Sequence, residues 1–327
     1  MTERAVPFHL PDIGEEEIQA VTDTLRSGWL TTGQRTKQFE REFAGVVNAE
    51  YAVATNSGTA ALHLALQAIG VKDGDEVILP TMTFAATAEV VSYLRAKPVL
   101  VDSEPETLNM DPDAVRRAIT PRTKVVMPVH FAGHPCEMDR LLSLAAEYNL
   151  KVVEDAAHAL PAAEHGRTVG AIGDITCFSF YATKSITTGE GGMATTRHAP
   201  YAEHMRSMSL HGITKDAWNR YSGSGSWYYE IREPGFKYNL TDIAASIGIE
   251  QLRKCRRFWE ARCRIAAAYH DAFEDLPELR LPLCRPGYEH AWHLYVIQLS
   301  LDQLRITRDD FIEGLKKEQI GSSVHFI

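Results

Sequence analysis

The chain has 327 residues, 45% of them hydrophobic and 24% charged, and its 34 Lys+Arg against 43 Asp+Glu give a net charge of -9. This composition excludes a disordered chain. The acidic balance argues against non-specific nucleic-acid binding, whose phosphate contacts need cations. A length of this order suits about two domains of ~150 residues, with a core that needs no metal or disulfide staple. The five cysteines (Cys136, Cys177, Cys255, Cys263 and Cys284) are odd in number and scattered, with no C-x-x-C pair. That is the usage of reduced, mostly buried thiols. The N-terminal stretch lacks the apolar region of a signal peptide, and no run approaches the ~18 apolar residues of a membrane span. The expectation is a cytoplasmic protein without membrane or nucleic-acid partners.

In chain order, a first helix is expected over Glu15–Ser27, closed by Gly28. Asn56-Ser57-Gly58-Thr59 opens an alanine-rich helix reaching Gln67, and residues 75–79 read as a buried strand stopped by Pro80. Strands follow at 98–101, 124–129 and 151–154, with a helix at 139–148 between the last two, and a further strand at 175–180. A long helical pattern runs over Asp242–Phe273, then Pro277 and Pro282 break the chain. Residues 291–301 read as a strand, 308–318 as a helix, and 321–327 as the start of another strand. Short β-rich runs alternating with helices indicate an α/β protein with a mostly parallel sheet. We expect a large domain over 1–250 and a smaller C-terminal α/β domain over 251–327, which reads as incomplete.

Three segments carry chemistry. Val152-Val153-Glu154-Asp155 is an apolar strand with carboxylates at its C-terminal end, the edge at which open α/β sheets bind ligands. Phe178-Ser-Phe-Tyr-Ala-Thr-Lys184 is a strand that leaves a lysine just past its end, followed by the glycine-rich Thr188-Gly-Glu-Gly-Gly192. Ser57-Gly58-Thr59 begins a helix whose free amides and positive dipole end suit a phosphate. Taken singly, a lysine after a strand is usually solvated, an aspartate there is often a cap, and S-G-T is a common N-cap. Together, a covalent lysine, an acid to hold a pyridine nitrogen protonated and a phosphate cradle are what pyridoxal 5′-phosphate (PLP) requires.

With these segments the chain resembles the DegT/StrS-type nucleotide-sugar aminotransferases, of the fold-type-I PLP-dependent enzymes. The matching runs are Gly28-Trp-Leu-Thr-Thr-Gly33, Asn56-Ser-Gly-Thr-Ala-Ala-Leu62, Pro128-Val-His-Phe-Ala-Gly133, Glu154-Asp-Ala-Ala-His-Ala159, Phe178–Lys184, Thr188–Gly192 and Gly235-Phe-Lys-Tyr-Asn-Leu-Thr-Asp242. They keep their order from the first helix onward. The resemblance implies that Lys184 binds PLP covalently and moves a proton during transamination, and that Asp155 partners the pyridine nitrogen. It implies that His158 lies near the ring's phenolic oxygen and that Phe84 stacks on the pyridine face. Ser57, Gly58, Thr59 and Ser179 would contact the phosphate. Asn239 would reach it from a neighbouring subunit, in a homodimer with shared active sites. A branch of the family that dehydrates sugars has histidine in place of the lysine; Lys184 favours transamination. The implied reaction moves an amino group from an amino acid, L-glutamate, to a nucleotide-linked keto-sugar, at carbon 4, in amino-sugar biosynthesis. The rival readings are another PLP enzyme, of lyase or desulfurase type, and a non-catalytic regulatory homologue. The family's small domain normally continues for some tens of residues beyond the position of Ile327.

Other features have ordinary readings. His130, His134 and Cys136 cannot share a helical face across Gly133 and Pro135, so no metal site is expected. His290 and His293, flanking Trp292 in the expected strand, would face opposite sides, with a lesser option that one lines the sugar site. Gly223-Ser-Gly-Ser226 lacks the strand–turn–helix setting of a dinucleotide fingerprint. Beside it, Trp227, Tyr228 and Tyr229 could stack on a base or simply pack.

Overall fold

The computed structural model describes residues 5–213 and 229–326. The chain runs α1 (Glu15–Ser27), α2 (Gln34–Val46), β1 (Tyr51–Thr55), α3 (Gly58–Ile69), β2 (Glu76–Pro80), α4 (Ala85–Tyr93) and β3 (Lys97–Val101). It continues through α5 (Pro112–Ala118), β4 (Thr123–Val126), α6 (Met138–Tyr148), β5 (Lys151–Asp155), β6 (Ala163–Glu164), β7 (Arg167–Thr168), β8 (Ile175–Ser179), β9 (Gly192–Thr196) and α7 (Ala199–Met208). The last elements are α8 (Asp242–Phe273), β10 (Leu279–Arg280), β11 (Tyr288–Glu289), β12 (Gln298–Leu299) and α9 (Arg308–Lys317).

Seven strands form one sheet in the order β1-β9-β8-β5-β4-β2-β3. Only β9 runs against the rest, antiparallel to both β1 and β8. Side chains alternate across the sheet, so Ile78, Val126 and Val152 enter one core while Val77, Leu79, Val125 and Val153 enter the other. The first core is closed by Phe39 and Phe43 of α2, Met138 and Leu141 of α6 and Ile249 and Leu252 of α8. The second is closed by α3, by Val90 and Val91 of α4, and by Met205 and Met208 of α7. This is the α/β architecture expected from the alternating pattern, with helices on both faces of a mostly parallel sheet. Among the described residues, no helix is long and apolar enough to cross a membrane.

Two expected strands do not form as read. Of residues 291–301 only Gln298–Leu299 pairs, with β10. The preceding segment turns through Trp292 at φ 49 and instead gives its amides to a loop, Ala291 N–H to the Gly133 carbonyl (2.9 Å) and Leu294 N–H to that of Ala132 (3.2 Å). Residues 321–326 are irregular apart from one backbone bond, Gly321 N–H to the Val6 carbonyl at 2.8 Å. Phe326 is drawn instead among aromatic rings, with centroids 6.1 Å from Phe84 and 5.9 Å from Phe131.

Candidate active site

Parallel strands deliver their last residues to one sheet edge, and β9, running the other way, brings its first residue Gly192 there as well. A cavity of about 540 Å³ opens at this edge. Its walls include Ser57, Gly58 and Thr59 at the start of α3, Phe84 after β2, Asp155 at the end of β5 with His158 beyond it, and Ser179 at the end of β8 with Lys184 beyond it. The structure thus brings together every residue singled out from the sequence except Asn239.

Asp155 is buried and its oxygens are held separately. Thr87 Oγ1 donates to Oδ2 at 2.9 Å, and the Ala157 amide donates to Oδ1 at 3.1 Å. Behind Thr87, Thr83 Oγ1 stands 2.6 Å from Thr87 Oγ1. At the phosphate-cradle end, Ser57 caps α3 by accepting the Ala60 amide on Oγ (3.1 Å), so the amides of Gly58 and Thr59 precede the helix's own hydrogen bonds. Two glycines let backbone close in here. A Cβ on Gly58 would lie 2.9 Å from the Ser179 Cβ, and one on Gly192 would lie 2.4 Å from the Ser57 carbonyl oxygen.

Burial pushes the Lys184 ammonium pKa below that of an ordinary lysine, with the charge of Asp155 opposing. Burial likewise pushes His158 well below the usual imidazole value, helped by the charges of Lys184 and His325. The His158 ring packs on His293 (centroids 4.4 Å apart), and its Nδ1 is buried with no hydrogen-bond partner among the described residues. Phe84 is 65% exposed at the cavity mouth.

Asn239 lies elsewhere. It lines a second cavity, of about 910 Å³, with Trp29, Thr32, Gly33 and Asp242. Its Nδ2 donates to Thr32 Oγ1 at 2.7 Å. Beside it the Asp242 carboxylate caps α2, accepting the amides of Gly33 (2.7 Å), Arg35 (3.1 Å) and Thr36 (2.9 Å) and the Thr36 hydroxyl (2.7 Å). Two of the quoted sequence runs, 28–33 and 235–242, therefore meet in one structural joint.

Of the other histidines singled out from the sequence, His130, His134 and His290 are held by hydrogen bonds, whereas His293 Nδ1 is buried with no hydrogen-bond partner among the described residues. The Cys136 amide donates to His130 Nδ1 (3.0 Å), which leaves Nε2–H to donate to Glu154 Oε2 at 2.9 Å. The Cys136 thiol donates to the Val129 carbonyl, and Arg285 N–H donates to His134 Nε2 at 3.3 Å. His290 accepts the Trp292 amide (2.9 Å) and stacks on the Trp292 indole, whereas His293 reaches the His158 side of the site. Gly223–Ser226, Trp227 and Tyr228 lie outside the described residues. Sequence reasoning gave no site role to Thr83, Tyr181 and Glu190, which line the cavity, or to Thr87 behind it, and it gave His293 only the lesser option of lining the sugar site. Of these, Thr83 and Thr87 carried a signal, since hydroxyls four residues apart at a helix start share one face.

Comparison with known proteins places this geometry. The chain is 50% identical over 323 residues, 98% of its length and 83% of the relative's, to the spore coat polysaccharide biosynthesis protein SpsC of Bacillus subtilis. It superposes with a TM-score of 0.90 on Spr1654 from Streptococcus pneumoniae, a protein named as a sugar aminotransferase and solved in PLP and PMP forms. That match is at 37% identity and covers 99% of this chain and 84% of that one in the PMP form. DesI, solved in the presence of its TDP-sugar product, matches with a TM-score of 0.88 at 32% identity, over 100% of this chain and 80% of that one. With residues 11–327 matching its sequence pattern, the chain belongs to the DegT/DnrJ/EryC1/StrS aminotransferase family, whose members are PLP-dependent sugar aminotransferases.

Proposed function

We propose that the chain transfers the amino group of an amino acid, L-glutamate, to the keto group of a nucleotide-linked sugar, at carbon 4. The observation that carries this reading is that Lys184, Asp155 and the first amides of α3 share one 540 Å³ cavity. The residues present fit PLP. The close approach of Gly58 to Ser179 leaves a backbone cradle for a phosphate, the buried Asp155 carboxylate keeps lone pairs free, and His158 Nδ1 lacks a partner. Support for a nucleotide-linked sugar comes from the TDP-sugar product of DesI, and for polysaccharide precursors from SpsC.

In this reading PLP, when bound, supplies a protonated ring that withdraws electrons from the substrate carbon. Ser57, Gly58, Thr59 and Ser179 would hold its phosphate with amides and hydroxyls, and Phe84 would cover the ring. Asp155 would accept a hydrogen bond from the pyridine N–H and favour its charged form. Lys184 would hold the cofactor covalently through Nζ, and its free amine would be the group that takes the proton from the α-carbon of the donor. The depressed pKa of this amine keeps a larger fraction unprotonated and ready to accept that proton. His158 stays neutral beside the ring, positioned by His293. Because Asn239 faces another cavity than the Lys184 of its own chain, we assign it to the phosphate of a partner subunit in a homodimer.

The test is incubation with PLP, isotopically labelled L-glutamate and a nucleotide-linked 4-keto-sugar, followed by mass spectrometry of the sugar. Labelled nitrogen on the sugar is the expected result. Release of ammonia or sulfur from an amino acid, with no label on the sugar, would instead establish the lyase or desulfurase reading.

A further inference from the structure

We propose that Thr83 and Thr87 form a two-hydroxyl relay that orients the Asp155 carboxylate toward the pyridine nitrogen of PLP, which makes Thr87 a positioning residue of the reaction. The inference rests on the reading of Asp155 given above. Thr87 is fully buried, and its Oγ1 donates to Asp155 Oδ2 at 2.9 Å. A hydroxyl has one proton to give, so with that proton committed to the carboxylate the 2.6 Å contact must run from the Thr83 O–H to the Thr87 oxygen. Each donation polarises the next, and the terminal acceptor is charged, the setting in which such bonds are strongest.

The relay acts on one carboxylate oxygen while the Ala157 amide holds the other at 3.1 Å. Donors from two segments therefore fix the carboxylate plane and leave lone pairs for a third donor inside the cavity. A threonine in a helix commonly turns its hydroxyl back to the carbonyl four residues earlier. Thr87 instead reaches 68 residues along the chain, to the end of β5. Nor does Thr83 cap α4: the N-cap is Phe84, which makes no side-chain cap bond. Phe84 and Thr87 thus sit on the same first turn of α4, so the element that presents the ring-covering aromatic also sets the angle of the acid.

The experiment compares wild type with Thr87→Val, Thr87→Ser, Thr83→Val, Asp155→Ala and the Thr87→Val/Asp155→Ala pair. Apo-protein is titrated with PLP while its visible absorption is followed. Thr87→Val keeps shape but removes the donor, and should weaken PLP binding about tenfold and shift the bound-cofactor band. Thr87→Ser should restore both, and Thr83→Val should show the same change at about threefold, which keeps the test open if Thr87→Val does not fold. In the Asp155→Ala background, Thr87→Val should add nothing. Unchanged PLP affinity in Thr87→Val, failure of serine to rescue, or a full extra loss in the Asp155→Ala background would overturn the relay while leaving Asp155 in its role. An Asp155→Ala variant with wild-type affinity and spectrum would instead remove the reading of Asp155, and the relay with it.

Discussion

At Gly58 there is no room for a side chain, because the Cβ of any other residue would stand 2.9 Å from the Ser179 Cβ and 3.3 Å from its Cα. Gly58→Ala should therefore push α3 away from β8, at a cost of about 1–3 kcal/mol for overpacking. The visible consequence is a rise of roughly tenfold or more in the PLP dissociation constant, measured by titrating apo-protein. At this scale much of the candidate site was legible beforehand. Asp155, Ser179 and Lys184 stand at or just past strand ends, and chain order alone puts parallel strand ends on one edge. The spacing of Thr83 and Thr87 was legible as one face of a helix start, but the bond from Thr87 to Asp155 was not, because the two residues are 68 apart in sequence. His293 was misplaced because the left-handed turn at Trp292 ends the alternation on which the strand reading relied.

Elements show the same division. Helix α2 has Gly33 at its N-cap, with no side chain to serve as the cap, and nothing nearby in sequence supplies one. Its cap is the Asp242 carboxylate, which takes four donors from residues 33–36 at distances between 2.7 and 3.1 Å. Asp242→Ala should leave those donors unpaired, the two on Thr36 being buried, and cost about 2–4 kcal/mol of stability, read as a lower urea midpoint. Asp242→Asn, which keeps acceptor oxygen, should recover part of it. Strand β9 was equally hard to read, since its buried threonines look polar. Their hydroxyls are spent on backbone carbonyls, Thr195 on Gly170 (2.8 Å) and Thr196 on Asp174 (2.6 Å). By contrast α1 announced itself, with three glutamates in its first turn, Arg26 in its last and Gly28 at φ 75 just after it.

Across the whole molecule, burial pushes several histidines down: His134 to about 4, and His158, His290 and His293 well below their ordinary value of 6.5. The unfolded chain takes up protons there below pH 6.5 while the folded one does not. Their contribution to stability is thus complete above that pH and is lost as pH falls toward 4. The urea midpoint should fall through this window, and less steeply in His293→Phe. The proposed sharing of sites between subunits has its own signature. Mixing Lys184→Ala with Asn239→Ala protein and allowing subunits to exchange should raise activity above the average of the two, because a mixed dimer contains one site with both residues intact. Activity equal to that average would place Asn239 outside the partner's site.

The central claim is that Lys184 and its cavity bind PLP and carry an amino group. It is tested most directly by the visible absorption spectrum of the PLP-loaded protein before and after L-glutamate, with Lys184→Ala alongside. The expected result is a band of covalently bound cofactor that bleaches on adding glutamate and is missing from the variant. A spectrum unchanged by glutamate, or a Lys184→Ala protein that keeps the same band and the same bleaching, would contradict it.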